Sequence, residues 1–400
     1  MARPVRIRTP SAPRRSGRAL GDSVEPMMAP LAIFLDWLAI QLRWAPRCRS
    51  LLKLQVAAYG PGLEEAIRFL NGPDFVPAES LPARLEFKPA GSGEEFLFPT
   101  PRPSRFAESN VAYGRLYRCA EHWKQRPAII LLHGAGGDPD YHYGFPRIAR
   151  QCNRMGFNAV TLMAPFQFQR RPRDFATLHW PDYLMEAQIC FAQAIAEIRA
   201  LIGWLLEEGC PTVAVWGNSY GGALAGLAAC YEARLSAAVL SAPGLNFDVF
   251  LSAARHVAWP GLREELLKQQ PACKALNQTV LNLTAARPCI PEDNILLIEA
   301  IYDLWVPRES MEDLWQAWGQ PDIWRLAHSH ASRSLMPGLT GRILRWLAPR
   351  LENPAPKPPP NPQGGANGRQ PFCSERTRTS AAAASRRSLW SLGHFTRYGT

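Results

Sequence analysis

Ser219 lies in the segment whose residue types and spacing most clearly favour covalent chemistry. The apolar, β-branched run of residues 212–216 leads directly into the pattern Gly217-x-Ser219-x-Gly221. This pattern predicts a strand that turns sharply into a helix and presents a serine hydroxyl at the apex. Glycine suits both flanking positions because a Cβ there would clash with the bent backbone. A serine hydroxyl is a weak nucleophile near neutral pH, so a base and an orienting carboxylate must lie close to it.

Apolar segments on both sides of Ser219 predict the sheet that must position it. Alternating patterns predict antiparallel edge strands at residues 83–88, 95–98 and 110–117. Continuous apolar runs predict buried parallel strands at residues 128–133, 158–163, 212–216, 235–240, 294–298 and 323–326. Helical periodicity marks residues 183–208, the segment after Ser219 and residues 337–349. Strands that alternate with helices predict a mostly parallel sheet covered on both faces, an α/β fold.

With these elements, residues 83–350 resemble the α/β-hydrolase superfamily, which has a His-Gly loop after one strand and a nucleophile elbow after another. Here the His-Gly pair is His133-Gly134 and the elbow carries Ser219. The segment Pro165-Phe-Gln-Phe-Gln-Arg-Arg-Pro172 is similar to an insertion in a branch of α/β-hydrolase-domain proteins of poorly assigned substrate. The resemblance implies an α/β-hydrolase domain over residues 30–350. This domain would include an N-terminal helical extension (30–82) and a helical lid insertion (247–292).

The same resemblance implies a triad that runs serine, acid, histidine along the chain. Asp303 is the expected acid, because Asp303-x-x-Val306-Pro307 resembles the family's acid loop, and Glu299 is the alternative. Two histidines follow the last predicted strand, and alignment on His-Ala-Ser favours His330 over His328 as the base. The His-x-His spacing would also place two rings on one face of a strand. Because no further Asp, His or Cys cluster completes a zinc site, we predict neither a metal nor a cofactor.

Oxyanion stabilisation requires two preorganised N–H donors near the reacting carbonyl. The amide of Tyr220, directly after the nucleophile, is the expected first donor. The second is expected from the loop after His133, at Ala135 or Gly136. His133 itself is expected to be structural in such a loop.

Two segments are candidates for shaping a substrate pocket. Arg170, Arg171 and Arg173, close to two phenylalanines, would suit an anionic group, although a solvated loop explains them as well. The apolar residues of 247–292 suit an acyl or lipid-like ester, and ordinary packing of helices on the sheet explains them equally.

Positive charge is concentrated at the two ends of the chain. The net charge is +11, of which residues 1–29 hold +4 and residues 351–400 hold +5, which leaves +2 for residues 30–350. The body therefore has too little positive charge for nucleic-acid binding. Both ends are rich in proline and arginine, which predicts disordered tails.

Nine scattered cysteines without a Cys-x-x-Cys pair predict a reducing compartment, and we expect the cytoplasm.

Residues 27–42 form an apolar segment that Asp36 interrupts, too short for a spanning helix. Leu31, Phe34, Leu35, Leu38 and Leu42 recur at helical spacing and predict a helix packed on the body. A membrane-surface helix is the alternative, so peripheral membrane contact stays open, as does the oligomeric state.

The sequence as a whole predicts a serine hydrolase that acts on a small-molecule or lipid-like ester, thioester or amide. A catalytically silent scaffold and an acyltransferase with the same triad are the alternatives.

Overall fold

A nine-stranded sheet forms the centre of the protein. The computed structural model describes residues 28–46, 48, 61–77, 79–89, 93–136, 140–173, 180–244 and 246–352. The strands are β1 (Glu86–Pro89), β2 (Glu94–Pro99), β3 (Val111–Tyr117), β4 (Ala128–Leu132), β5 (Asn158–Leu162), β6 (Val213–Asn218), β7 (Ala237–Ser241), β8 (Ile295–Ala300) and β9 (Asp322–Leu326). Their spatial order is β1-β2-β3-β5-β4-β6-β7-β8-β9. The first three strands are antiparallel, and the six strands β4 to β9 are mutually parallel.

Helices cover both faces of this sheet. They are α1 (Met28–Ala39), α2 (Pro61–Leu70), α3 (Phe145–Arg154), α4 (Trp180–Glu207), α5 (Tyr220–Tyr231), α6 (Asp248–Arg255), α7 (Pro260–Leu267), α8 (Gln270–Leu276), α9 (Arg308–Ala317) and α10 (Leu339–Glu352). Successive side chains of β4 point to opposite faces, so Ile130 packs with α4 and α5 while Ile129 packs with α3 and α10. The continuous apolar runs of the sequence follow from this burial on both sides.

The α/β-hydrolase fold with its mostly parallel sheet is confirmed. Every predicted strand is present, with ends that differ by a few residues, as hydrogen-bond criteria and fraying allow. The predicted helix over 183–208 is α4, and the one over 337–349 is α10. Three short helices, α6 to α8, lie in the connection between β7 and β8 where the lid was expected. Of the predicted tails, residues 1–29 and 351–400, all but four residues lie outside the described residues. Residues 28–29 begin α1 and residues 351–352 end α10, so the predicted tails were too long by two residues each.

Within α4, Ile189–Glu207 is long and apolar enough to cross a membrane by length and composition alone. However, 83% of that window is buried inside the protein. Ile195, Ile198 and Leu205 pack in the main core cluster, so this segment serves as the central helix on one face of the sheet.

The N-terminal segment forms a helix, but the expectation for its buried face was wrong. The described helix α1 continues as a π-helical turn over Ile40–Trp44. Ala32, Asp36 and Ile40 are buried, while Leu31 and Phe34 are each about half exposed. The spacing of the leucines predicted that the opposite face of the helix would be buried. Hydrophobic periodicity alone could not show that the Asp36 carboxylate has hydrogen-bond partners in the body. Ile40 packs in a separate apolar cluster with residues of α6 and α7, including Ala253 and Leu266.

Candidate active site

Ser219 lies at the turn between β6 and α5, in a backbone conformation that the flanking glycines make possible. Its φ is 57° and its ψ is −115°, a region that non-glycine residues rarely occupy. A Cβ on Gly217 would lie 1.9 Å from the carbonyl oxygen of Gly221, and one on Gly221 would lie 2.1 Å from that of Leu132. The turn is held by a 2.9 Å hydrogen bond from the Ser219 amide to the carbonyl of Ser241. These contacts fit the predicted strained elbow.

The structure brings Ser219, His330 and Asp303 together in one hydrogen-bonded chain. Oγ of Ser219 is 2.8 Å from Nε2 of His330, and Nδ1 of His330 is 2.7 Å from Oδ2 of Asp303. Because the carboxylate can only accept, Nδ1–H donates to Asp303 in the neutral ring. Nε2 is then left free to accept the serine proton. This tautomer is the one that a base acting on Ser219 requires.

Asp303 follows β8 on a loop that fixes its second carboxylate oxygen. Oδ1 accepts hydrogen bonds from the amides of Trp305 at 2.8 Å and Val306 at 2.9 Å. The side chain of Asp303 is 2% exposed, and the Trp305 ring lies 5.0 Å from that of His330. Glu299, the alternative acid, is buried on β8 and pairs with Arg325 at 2.8 Å, so the structure does not place it in this chain of contacts.

His328 contacts a different group from His330. Its Nδ1 is 3.3 Å from Oγ of Ser332, and burial lowers the pKa of the His328 imidazole. Within the described ranges, no group of three or more His, Cys, Asp or Glu side chains could hold a metal ion. The geometry therefore offers the His-x-His pair no further metal ligands among the described residues.

The loop after β4 approaches Ser219 closely. A Cβ on Gly134 would lie 3.4 Å from Cβ of Ser219. The amide of Gly136 donates to Oε1 of Gln167 at 3.1 Å, which corrects its assignment as an oxyanion donor because that N–H already has a partner. Ala135 and Tyr220 stay the predicted donors. The Tyr220 amide is the first of α5, where a helix leaves N–H groups without intrahelical acceptors.

His133 has a structural environment, as expected. Its ring is buried, with Nδ1 at 2.8 Å from the carbonyl of Gly134. Nε2 accepts from the amide of Ala164 at 3.0 Å. The ring therefore joins the loop after β4 to the segment after β5.

Arg170 does not face a substrate, contrary to its predicted binding role. The side chain is fully buried and pairs with both carboxylate oxygens of Glu197, at 2.5 and 2.9 Å. It also donates to the carbonyls of Met163 and Ser109, each at 2.6 Å. No local pattern pointed to Glu197 as its partner, because this acid lies 27 residues further along the chain, within helix α4. Arg171 and Arg173 are exposed, and their predicted role in substrate binding stays a prediction.

Two buried charged residues near the triad were not singled out in the sequence as site residues. Asp36 of α1 accepts hydrogen bonds from backbone amides of the acid loop, residues 301–306 after β8, and of the histidine loop, residues 327–331 after β9. Arg333 donates to the carbonyl oxygen of His330 and to Oδ1 of Asn218, which directly precedes Ser219. The only sequence signal for Asp36 was a lone charge inside an otherwise apolar helix.

The sheet, the elbow and the order of the three residues define the class, and the protein is a member of the α/β-hydrolase superfamily. Residues 95–285 match the sequence model of the family described as alpha/beta hydrolase domain containing 18. The match includes Ser219 and ends before Asp303 and His330.

The chain is also similar to individual proteins. Two curated proteins of Mycobacterium tuberculosis, from the strains CDC 1551 and H37Rv, are 27% identical over 225 residues, and both are named only as uncharacterized. The match covers 54% of this chain and 52% of theirs, so the chain spans about half the length of these relatives. An acetyl xylan esterase from Paenibacillus sp. R4 is 18% identical with a TM-score of 0.51, over 73% of this chain and 93% of the esterase. This likeness supports the fold.

Proposed function

We propose that the protein is a serine hydrolase that cleaves an ester, thioester or amide through a covalent acyl-enzyme. The proposal rests on one observation, the 2.8 Å contact of Ser219 Oγ with an imidazole whose other nitrogen is held by Asp303. Ser219 is the nucleophile, His330 the general base and Asp303 the group that orients the ring. A silent scaffold has no need of this arrangement, in which a strained backbone aims a hydroxyl at a correctly oriented base.

The reaction would proceed in two balanced halves. Nε2 of His330 takes the Ser219 proton as Oγ attacks the substrate carbonyl, and the amides of Tyr220 and Ala135 receive the developing oxyanion. The imidazolium then gives its proton to the leaving group, which departs as an alcohol, thiol or amine. In the second half, water attacks the acyl-enzyme, His330 takes its proton, and Ser219 is regenerated as the carboxylic acid leaves.

A labelling and turnover experiment tests this proposal. The parental protein should react with a fluorophosphonate probe and hydrolyse short p-nitrophenyl esters. Ser219→Ala should fail to label and lose at least ~10⁴-fold in kcat. Ser104→Ala is a control, because its hydroxyl contacts Phe106 and Asn110 in the connection between β2 and β3 rather than the reacting atoms or the residues that hold them. Equal labelling of the parental protein and Ser219→Ala would contradict the proposal, and transfer of the acyl group to an added alcohol in place of water would favour an acyltransferase.

The proposed substrate is a small-molecule or lipid-like ester, and the proposed compartment is the cytoplasm. The eight cysteines of the described residues are all free thiols, and six of them are buried, which supports a reducing environment.

Peripheral contact with an anionic membrane is also part of the proposal. Leu31, Phe34 and Leu42 expose between 50% and 68% of their surface on the N-terminal helix, directly after the arginine-rich residues 1–27. Co-sedimentation with vesicles that contain phosphatidylserine should fall when Leu31 and Phe34 are both replaced by serine. Vesicles of phosphatidylcholine alone provide the control. Equal sedimentation of the parental protein and the double variant would contradict membrane contact through α1.

A further inference from the structure

Asp36 is a buried carboxylate whose hydrogen-bond partners all lie next to the candidate site. The residue is 0% exposed on α1. Its Oδ2 accepts from the amides of Leu304 at 3.1 Å and His330 at 2.9 Å, and its Oδ1 accepts from the amide of Ala331 at 2.8 Å. Leu304 directly follows Asp303, so one carboxylate binds the backbone of both loops whose side chains must meet.

A buried charge at Asp36 is costly in free energy, and the packing of α1 on the body does not require it. Burial of a carboxylate costs several kcal/mol unless hydrogen bonds or an opposite charge compensate. In the described part of the chain, no Lys or Arg forms an ion pair with Asp36, so backbone amides supply its compensation. Ile40, in the π-helical turn that continues α1, shows that an apolar side chain can pack this segment against α6 and α7. Asp36 therefore has a role that an apolar side chain could not fill.

A backbone hydrogen bond from the Tyr302 amide to the His328 carbonyl, at 3.1 Å, also joins the two loops, but Asp36 joins them at the residues next to the acid and at the base itself. Asp303 follows β8 and His330 follows β9, and the two side chains must meet at hydrogen-bond distance for the ring to adopt the required tautomer. Asp36 accepts the His330 N–H while Arg333 donates to the His330 carbonyl oxygen. Both polar groups of His330's main chain are thus held by buried, charged side chains.

We propose that Asp36 is a positioning residue, which holds the acid loop and the histidine loop in register so that His330 reaches both Ser219 and Asp303. As a consequence, turnover would require α1, although this helix lies outside residues 95–285, which match the family model. This inference rests on the proposed serine-hydrolase function. Displacements of about 1 Å in such an arrangement can lower the rate about 10²-fold.

The decisive variant is Asp36→Asn, which keeps the size of the side chain but turns one of the two acceptors into a donor. We expect kcat for a p-nitrophenyl ester to fall about 10- to 100-fold. The KM should change less than about twofold, because Asp36 has no route to substrate binding. The rate constant of fluorophosphonate labelling should fall by the same factor as kcat, since both report activation of Ser219 by His330.

Gln41→Ala provides a matched control on the same segment. The Gln41 side chain is buried, donates to the carbonyl of His256 at 2.8 Å and accepts from the amide of Ala258 at 2.9 Å. It thus holds the same N-terminal segment to the residues that follow α6, and its hydrogen bonds do not involve the acid loop or the histidine loop. We expect a lowered melting temperature with kcat within about threefold of the parental value.

Three results would overturn the inference while leaving the proposed function intact. The first is a folded Asp36→Asn variant that labels and turns over at the parental rate. The second is an equal loss of kcat in Gln41→Ala, which would mean that helix docking in general is responsible. The third is that neither Asp36→Asn nor Asp36→Ser folds, which would make Asp36 a determinant of stability alone. Failure of the proposed function differs from all three, because the parental protein would then not label at Ser219.

Discussion

His328 and His330 are separated by a single residue, yet their rings contact different groups. His330 lies between Ser219 and Asp303, whereas Nδ1 of His328 contacts Oγ of Ser332. Of the two rings, it is that of His330 that lies at hydrogen-bond distance from Ser219. This difference separates two histidines that the sequence alone presents as near equivalents.

Replacing these two histidines should give opposite results. His330→Ala should lose about as much kcat as Ser219→Ala, at least ~10⁴-fold, since members of a triad act as a unit. His328→Ala should keep kcat within a few-fold and lose about 1–3 kcal/mol of unfolding free energy at most. Ester hydrolysis and chemical denaturation of both variants provide the measurement. Loss of turnover in His328→Ala alone would move the base to that residue.

Gly217 should be intolerant of any side chain. In Gly217→Ala the new Cβ would lie 1.9 Å from the Gly221 carbonyl oxygen, which belongs to backbone and cannot move aside cheaply. We expect a loss of at least about 3 kcal/mol in unfolding free energy, together with loss of fluorophosphonate labelling. Gly261→Ala is the control, because a Cβ there would meet no atom of the described chain within 4 Å beyond its immediate neighbours. Thermal unfolding that is equal for the two variants would contradict the expected clash.

Arg170→Met should destabilise the protein without a specific effect on substrate affinity. The change leaves Glu197 buried without its bidentate partner, and breaking such a pair costs about 3–5 kcal/mol. The neighbouring exposed residue gives the control, since Arg171→Met should change the unfolding free energy by no more than about 0.5 kcal/mol. Urea denaturation measures both variants. A raised KM in Arg170→Met at unchanged stability would instead support a substrate-binding role for this residue.

Asp36 should give the protein a characteristic pH dependence of stability. Burial raises the pKa of Asp36 above its ordinary value of 3.8, with Asp303, His330 and His256 as the nearby titratable groups. The folded chain therefore keeps this proton to higher pH than the unfolded chain. The stability that the bound proton contributes is complete below about pH 4 and is lost as the pH rises through the raised pKa.

Urea unfolding of the parental protein and Asp36→Asn between about pH 3.5 and 7 isolates this contribution. The parental free energy of unfolding should fall relative to that of the variant as the pH rises. A difference between the two proteins that stays constant over this range would contradict the prediction.

The sheet and the elbow were predictable because they depend on local patterns. Continuous apolar runs mark strands buried on both faces, and Gly217-x-Ser219-x-Gly221 marks a turn that only glycine allows. Asp36 and Arg333 were not predictable as site residues. Each forms hydrogen bonds with groups that are distant in sequence or that belong to the main chain, and a main-chain group is the same in every residue type. Hydrogen bonds to main-chain amides leave no periodicity in either partner. For the same reason, the sequence could not show that Arg170 would be buried against Glu197.

The 294-residue separation between Asp36 and His330 has a consequence for synthesis of the chain. Asp36 is synthesised long before His330 and Ala331, whose amides its carboxylate binds. At elongation rates of about 5–20 residues per second, the helix waits roughly 15–60 s for its partners. A nascent or prematurely terminated chain that ends between Ser219 and His330 therefore lacks the proposed base and the amides that Asp36 binds. If Asp36 positions His330 as proposed, hydrolysis begins only once α1 and the loop after β9 have met.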